Sequence, residues 1–184
     1  MIQNIFNIII SPRKGWESLR NAEISVFRVL FQVVIPILLV CGFMYSFPML
    51  VKQNAKGQQI LAIFLTVILS GATSIIVTAS LLNKLSKPFK GVAVYSKNFL
   101  VASISFSVFL FIWILPSLMP TLIIPFRVLS IYSLILFYRG ADIVLGIRFE
   151  KLTGFTMLAA LLFALVITIS TIVFSAFFQL PILF

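Results

Sequence analysis

The sequence predicts an all-α integral membrane protein, a five-transmembrane-helix bundle with its N-terminus cytoplasmic and its C-terminus extracytoplasmic. Three observations carry this reading. Hydrophobic residues make up 61% of the 184 and charged residues 10%, against roughly 45–50% and 25% in a soluble domain, so this chain cannot build a water-facing surface. Five apolar segments of 19 to 24 residues lie between Val29 and Phe178, each long enough to cross about 30 Å of hydrocarbon at about 1.5 Å per helical residue. The basic residues, finally, sit mostly in alternate connections between these segments.

Residues 1–28 are expected to form a cytoplasmic N-terminal segment. Within it Ile2, Ile5, Phe6, Ile9 and Ile10 recur at three-to-four spacing, the pattern of a short amphipathic helix lying on the cytoplasmic leaflet, with Trp16 among the headgroups. No cleaved signal is expected, because Arg13 and Lys14 follow the apolar run Ile8 to Ile10 instead of preceding it. Residues 29–184 then read as one membrane domain with spans at 29–47, 60–82, 99–119, 122–145 and 155–178. Lipid offers no partner to backbone amides, and segments this long exceed the roughly 9–11 residues of a barrel strand, so the spans must be helices. Pro36 should kink the first of them. Pro116, Pro120 and Pro125 mark a tight turn that makes spans three and four a hairpin.

Orientation follows from Lys and Arg in the connections. The N-terminal segment carries Arg13, Lys14, Arg20 and Arg28, the second loop Lys84, Lys87, Lys90 and Lys97, and the fourth Arg148 and Lys151. These are ten of the fourteen basic residues, and the opposite side has only Lys52 and Lys56. The last two, Arg127 and Arg139, lie near the two ends of span four and can snorkel. An odd number of crossings is required by this alternation. The net charge of +10 is therefore a topology signal spread over separate clusters, with no continuous face for nucleic acid.

Catalytic and metal chemistry find little support. The chain has no histidine and a single cysteine, Cys41, inside an apolar run, which removes the imidazole base and the usual metal sites. No cofactor is expected, and the isolated Gly42, Gly57, Gly71, Gly91 and Gly140 form no phosphate-cradling loop. Arg139 and Asp142 are three apart on one face of span four, a polar pair that either fixes helix depth at the interface or lines a path. Ser70, Ser74 and Thr78 follow one face of span two, with Thr66 and Thr73 nearby, and predict close helix packing. Ser103 and Ser107, and Thr168, Thr171 and Ser175, predict the same for spans three and five.

The order of short motifs resembles the Yip-one domain family, five-span proteins whose eukaryotic relatives are called Ypt/Rab-interacting or YIPF proteins. The match begins with Ser11-Pro12-Arg13-Lys14-Gly15-Trp16-Glu17 and a first span containing Pro36. It continues through Phe89-Lys90-Gly91-Val92-Ala93-Val94-Tyr95-Ser96, then Ile131-Tyr132-Ser133-Leu134, Tyr138-Arg139-Gly140 and Glu150-Lys151-Leu152-Thr153-Gly154-Phe155. Family members often carry a proline soon after the Tyr-Ser step, where this chain has Lys97, Asn98 and Phe99. The long cytosolic N-terminal region of the eukaryotic relatives is also missing, so small-GTPase binding is not expected.

The resemblance to bacterial-type members implies a five-span topology in the bacterial cytoplasmic membrane and a role in membrane organisation. The leading expectation is a non-enzymatic scaffold that binds lipids or a membrane-protein partner, or forms homo-oligomers. In it Lys84, Lys87, Lys90 and Lys97 either contact anionic headgroups or an acidic partner, or only enforce topology. The alternative is a small transporter or channel subunit with Arg139, Asp142 and the span-two hydroxyls along its path.

Overall fold

The computed structural model describes residues 7–52 and 56–180, and every regular element among them is helical. A short helix α1 (Pro12–Arg20) precedes five helices long and apolar enough to cross a membrane. These are α2 (Val26–Val51), α3 (Gly57–Ser86), α4 (Tyr95–Ser117), α5 (Pro120–Ile143) and α6 (Phe149–Phe177). All five expected spans are present, and most run a few residues past the hydrophobic limits because polar residues complete the turns at their ends. The largest difference is at α6, which starts at Phe149, six residues before the expected 155, with Glu150 in its first turn, where a carboxylate complements the helix dipole.

The axis of the bundle is α4. Of its most apolar stretch 78% is buried, against 33% for α2 and for α3, 28% for α6 and 22% for α5. Ala102, Ser103, Ser105 and Ser107 are all fully buried on it, and small side chains let neighbouring backbones approach closely. Phe106 reaches outward from α4 and stacks on Phe163 of α6 at 4.1 Å between ring centres and on Phe137 of α5 at 5.4 Å. Pairs of this kind contribute about 0.5–1.5 kcal/mol beyond their area. The expected Ser70, Ser74 and Thr78 face of α3 is buried too. Ser74 bonds the Ser70 carbonyl of its own helix at 2.5 Å, while Thr78, Ser103 and Ser107 have no hydrogen-bond partner among the described residues. Those positions supply packing. Thr168 departs from the expected stripe: it is exposed, whereas Thr171 and Ser175 are buried.

Proline shapes α2 as its chemistry requires. Pro36 has no amide hydrogen and its ring crowds the carbonyl one turn back, and a π-helical turn, Leu30–Val34, lies just ahead of it, with the Ile35 amide bonding Leu30. Pro48, by contrast, is carried inside the helix, which continues to Lys52. The Pro116–Pro120 segment forms two 3-10 turns, Leu115–Ser117 and Pro120–Leu122, and the Ser117 hydroxyl ties it to the Met44 carbonyl of α2 at 3.1 Å. The hairpin of α4 and α5 is thus formed as expected.

Two features differ from the sequence reading. Helix α5 is interrupted at Ile131. The Ser130 and Ser133 hydroxyls donate to the carbonyls of Arg127 and Ser130, each at 2.7 Å, and the amides of Ile131 and Leu134 fall back on carbonyls three residues earlier. Hydroxyls that compete for the helix's own carbonyls disturb the regular ladder in this way. The N-terminal segment is the second difference. Ile2, Ile5 and Phe6 lie outside the described residues, Ile9 and Ile10 are exposed, and Ile8 is buried instead. Trp16, expected among headgroups, is fully buried: α1 turns Gly15, Trp16 and Leu19 inward, and the indole Nε1 donates to the Leu136 carbonyl of α5 at 3.0 Å. Gly140 makes room for it, since a Cβ there would lie 3.0 Å from the Trp16 ring and 2.8 Å from Val101. Residues 8–20 therefore share the core of the spans.

Trp16→Ala is expected to destabilise the protein by about 3 kcal/mol, and Trp16→Phe, which keeps the ring and loses one hydrogen bond, by about 1 kcal/mol. Thermal unfolding of detergent-purified protein checks this. Equal midpoints for wild type and Trp16→Ala would show that α1 is not docked.

Candidate functional site

The contacts bring α1, the second loop and the fourth loop to one end of the bundle, which gathers most of the charge. The second loop begins where α3 stops. After Ser86 the Lys90 amide bonds the Lys87 carbonyl at 2.9 Å and the Gly91 amide bonds the Ser86 carbonyl at 2.8 Å, the pair of bonds that closes a helix in the Schellman manner. Lys90 occupies the left-handed position, φ 61°, where a side chain is unfavourable and glycine is usual. Gly91, one residue later, packs closely on the fourth loop for a different reason: a Cβ there would displace the tip of the Ile147 side chain and lie 3.1 Å from the Leu145 carbonyl oxygen.

Asn98 organises this loop from beneath. It is fully buried at the start of α4. Its Oδ1 accepts from the Ser86 hydroxyl at 2.8 Å, and its Nδ2 donates to the carbonyls of Val92 at 3.1 Å and Val94 at 3.2 Å and to Asn83 Oδ1 at 3.3 Å. A buried amide left without partners is expensive, and one this well satisfied holds its surroundings in a single arrangement. The loop is also fastened sideways. The Val92 amide bonds the Leu145 carbonyl at 2.7 Å, Lys151 Nζ donates to the Pro88 carbonyl at 3.1 Å, and Phe89 meets Phe155 edge-on at 5.2 Å. In the sequence Asn98 stands out only as a departure from a family pattern. The available signal was an uncharged amide beside a continuous apolar run, where a side chain with both donors and an acceptor has to find partners.

On this frame Lys84, Lys87 and Lys90 are exposed and Lys97 is half-buried. Exposed Arg148 follows on the adjoining connection. Arg139 and Asp142 are exposed near the end of α5 and line a polar cleft of about 450 Å³ together with Arg13, Glu17 and Arg20 of α1. They form no ion pair with each other among the described residues. The ion pair found is Arg13 with Glu17 at 3.2 Å, an exposed contact one helical turn apart and energetically minor. Asp142 sits at the C-terminal end of a helix, where the dipole opposes a carboxylate, and the arginines of the cleft offset that.

The span-two hydroxyls lead elsewhere. Thr66 and Ser70 line a cavity of about 1030 Å³ at the opposite end of the bundle, beside Pro116, Ser117 and Ile123. This cavity and the Arg139–Asp142 cleft have no lining residue in common, and buried Leu136 and Phe137 lie on α5 between them. Cys41 is buried on α2. Among the described residues no group of three His, Cys, Asp or Glu side chains is placed to hold a metal ion.

The family model described as Yip1 domain matches residues 6–172, which takes in α1 and nearly all of the five long helices. No curated protein and no solved structure matches the chain. The family match and the five apolar helices identify a multi-pass integral membrane protein.

Asn98→Ala should loosen the second loop while leaving the spans assembled. Tryptic cleavage after Lys90 is expected to run roughly tenfold faster, the effect of about 1.4 kcal/mol on local opening, with the thermal midpoint lowered modestly. Cleavage at the wild-type rate would show that the loop is held without Asn98.

Proposed function

The chain belongs to the Yip1 domain family, and from that premise we propose that it is a non-enzymatic scaffold of the bacterial cytoplasmic membrane that gathers anionic lipid at its charged end. In this reading the N-terminus, the second loop and the fourth loop face the cytoplasm and the C-terminus lies outside. Lys84, Lys87, Lys90 and Lys97 then meet the headgroups of the inner leaflet. The observation that carries the proposal is the Asn98 network: a loop that only enforced topology would not need a buried amide that donates three hydrogen bonds and accepts a fourth. A rigid loop holds its lysines in place before binding, so less ordering cost is incurred on contact. Each lysine near an anionic surface contributes about 1 kcal/mol, an attraction that salt screens.

Arg13, Arg20, Arg139 and Arg148 extend the same positive field around α1 and the fourth loop. Asp142 and Glu17 lie inside it and supply the contrast that an acidic partner surface would have to avoid. The non-enzymatic part of the proposal rests on the chemistry of the side chains, since the chain has no histidine to act as a base and its one cysteine is buried in apolar surroundings.

The test replaces Lys84, Lys87, Lys90 and Lys97 together with glutamine and follows the thermal midpoint in detergent as phosphatidylglycerol is titrated in, at low and high salt. Binding to the native state stabilises by mass action. Wild type should be stabilised by phosphatidylglycerol, with at least half of that gain lost in the variant and in high salt. An undiminished gain in the variant would leave the lysines with topology alone.

A further inference from the structure

Among the described residues Arg127 is the only basic one placed well inside a span at the end of the bundle remote from the other arginines, and it borders the large cavity. It lies seven residues into α5 from Pro120, a depth of roughly 10 Å at about 1.5 Å per residue. Its guanidinium carbon stands 2.9 Å from the ring centre of Trp113 on α4, a cation-π contact that fixes the group in place. Its Nη1 is buried and has no hydrogen-bond partner among the described residues. The Ser130 and Ser133 hydroxyls of its own helix donate to the carbonyls of Arg127 and Ser130, and neither accepts a hydrogen bond from Nη1.

No acidic side chain of the chain can neutralise it. The four are Glu17, Glu23, Asp142 and Glu150. Glu17 and Asp142 line the cleft at the other end of the bundle, Glu23 follows α1, and Glu150 opens α6 beside the fourth loop. A guanidinium at membrane depth calls for an anion, and this one must come from outside the described chain. The space next to it is apolar, walled by side chains such as Leu38, Phe163, Leu161 and Ile167, and its volume of about 1030 Å³ lies at the upper end of the roughly 300–1,000 Å³ of small-molecule sites. Side chains on a helix tilt toward its N-terminus, so Arg127 leans toward the nearby membrane surface, where lipid phosphates lie.

We infer that the cavity is a phospholipid site, in which Arg127 hydrogen-bonds the phosphodiester of a lipid from the leaflet at the Pro116–Pro120 turn and the acyl chains fill the space enclosed by α2, α3, α4, α5 and α6. Guanidinium suits phosphate because its donors are fixed in a fork that matches two oxygens. Recognition depends on the phosphate and the tails, not on net headgroup charge. That separates this site from the lysine-rich end, which selects anionic lipid, and neither reading needs the other.

Trp113 is the built-in reporter. In a Trp16→Phe background it is the remaining tryptophan, and its fluorescence is followed in detergent as phosphatidylcholine with brominated acyl chains is added. Quenching should saturate, should be competed by unlabelled phosphatidylcholine, and should not be competed by diacylglycerol with the same tails. Arg127→Gln should weaken the apparent affinity at least tenfold and Arg127→Lys less. Ala160→Phe, which fills the cavity and leaves the arginine alone, should weaken it similarly. Quenching that rises linearly with lipid in the wild type would overturn the proposal, as would equal competition by diacylglycerol. A severalfold gain in lipid affinity on deleting residues 181–184 would also overturn it, by making the chain's own C-terminal segment the occupant.

Discussion

Burial of α4 is the constraint on which the remaining structure depends. A helix in lipid already satisfies its own backbone, so helices associate only where side-chain packing is better than contact with acyl chains. This chain meets that condition by making one helix, α4, small along much of its surface and surrounding it. Ala102, Ser103, Ser105 and Ser107 admit close neighbours, while Phe106 extends a stacked aromatic contact to α5 and α6. The other four spans keep most of their surface for lipid, which is why only α4 is mostly buried.

Polar groups are distributed around that axis with a clear asymmetry. At one end Asn98, near the start of α4, gathers the second loop by its amide, and the loop in turn leans on α6 through Phe89 and Lys151. Exposed lysines and arginines crown this end. At the other end the proline turn closes the hairpin, the upper half of α5 packs on α4 and not on α6, and the cavity there has Arg127 as the one cation on its wall among the described residues. The break in α5 at Ile131 lies between the two regions. Its upper half carries Arg127 and its lower half carries Gly140, which accepts Trp16.

Hydropathy made the five spans, their helical nature and the hairpin legible, because length and apolarity alone decide those features in lipid. The small-residue faces of α3 and α4 were legible for a related reason, since little else places Ser70, Ser74 and Ser103 in an apolar helix. Trp16 was not, because an amphipathic sequence describes a helix on a membrane and a helix on a protein equally well. Only the matching notch at Gly140, some 120 residues away, distinguishes them. The break in α5 depended on which carbonyls the Ser130 and Ser133 hydroxyls choose, and pattern does not encode that choice. Among the candidate site residues, the lysines and the Arg139–Asp142 face were visible as charges. Asn98, which holds the lysine loop, and the isolation of Arg127 from every acidic side chain emerged only when distant segments came together.

Single-cysteine labelling tests the central claim, that the buried axis α4 crosses the membrane with the charge gathered at one end. In a Cys41→Ala background, cysteines at Lys14, Lys87 and Met119 are offered a membrane-impermeant maleimide in intact cells and again after permeabilisation. The Met119 position should react in intact cells and the Lys14 and Lys87 positions only after permeabilisation. Reaction of the Lys87 and Met119 positions from the same side would contradict it, because the two ends of α4 would then share a compartment.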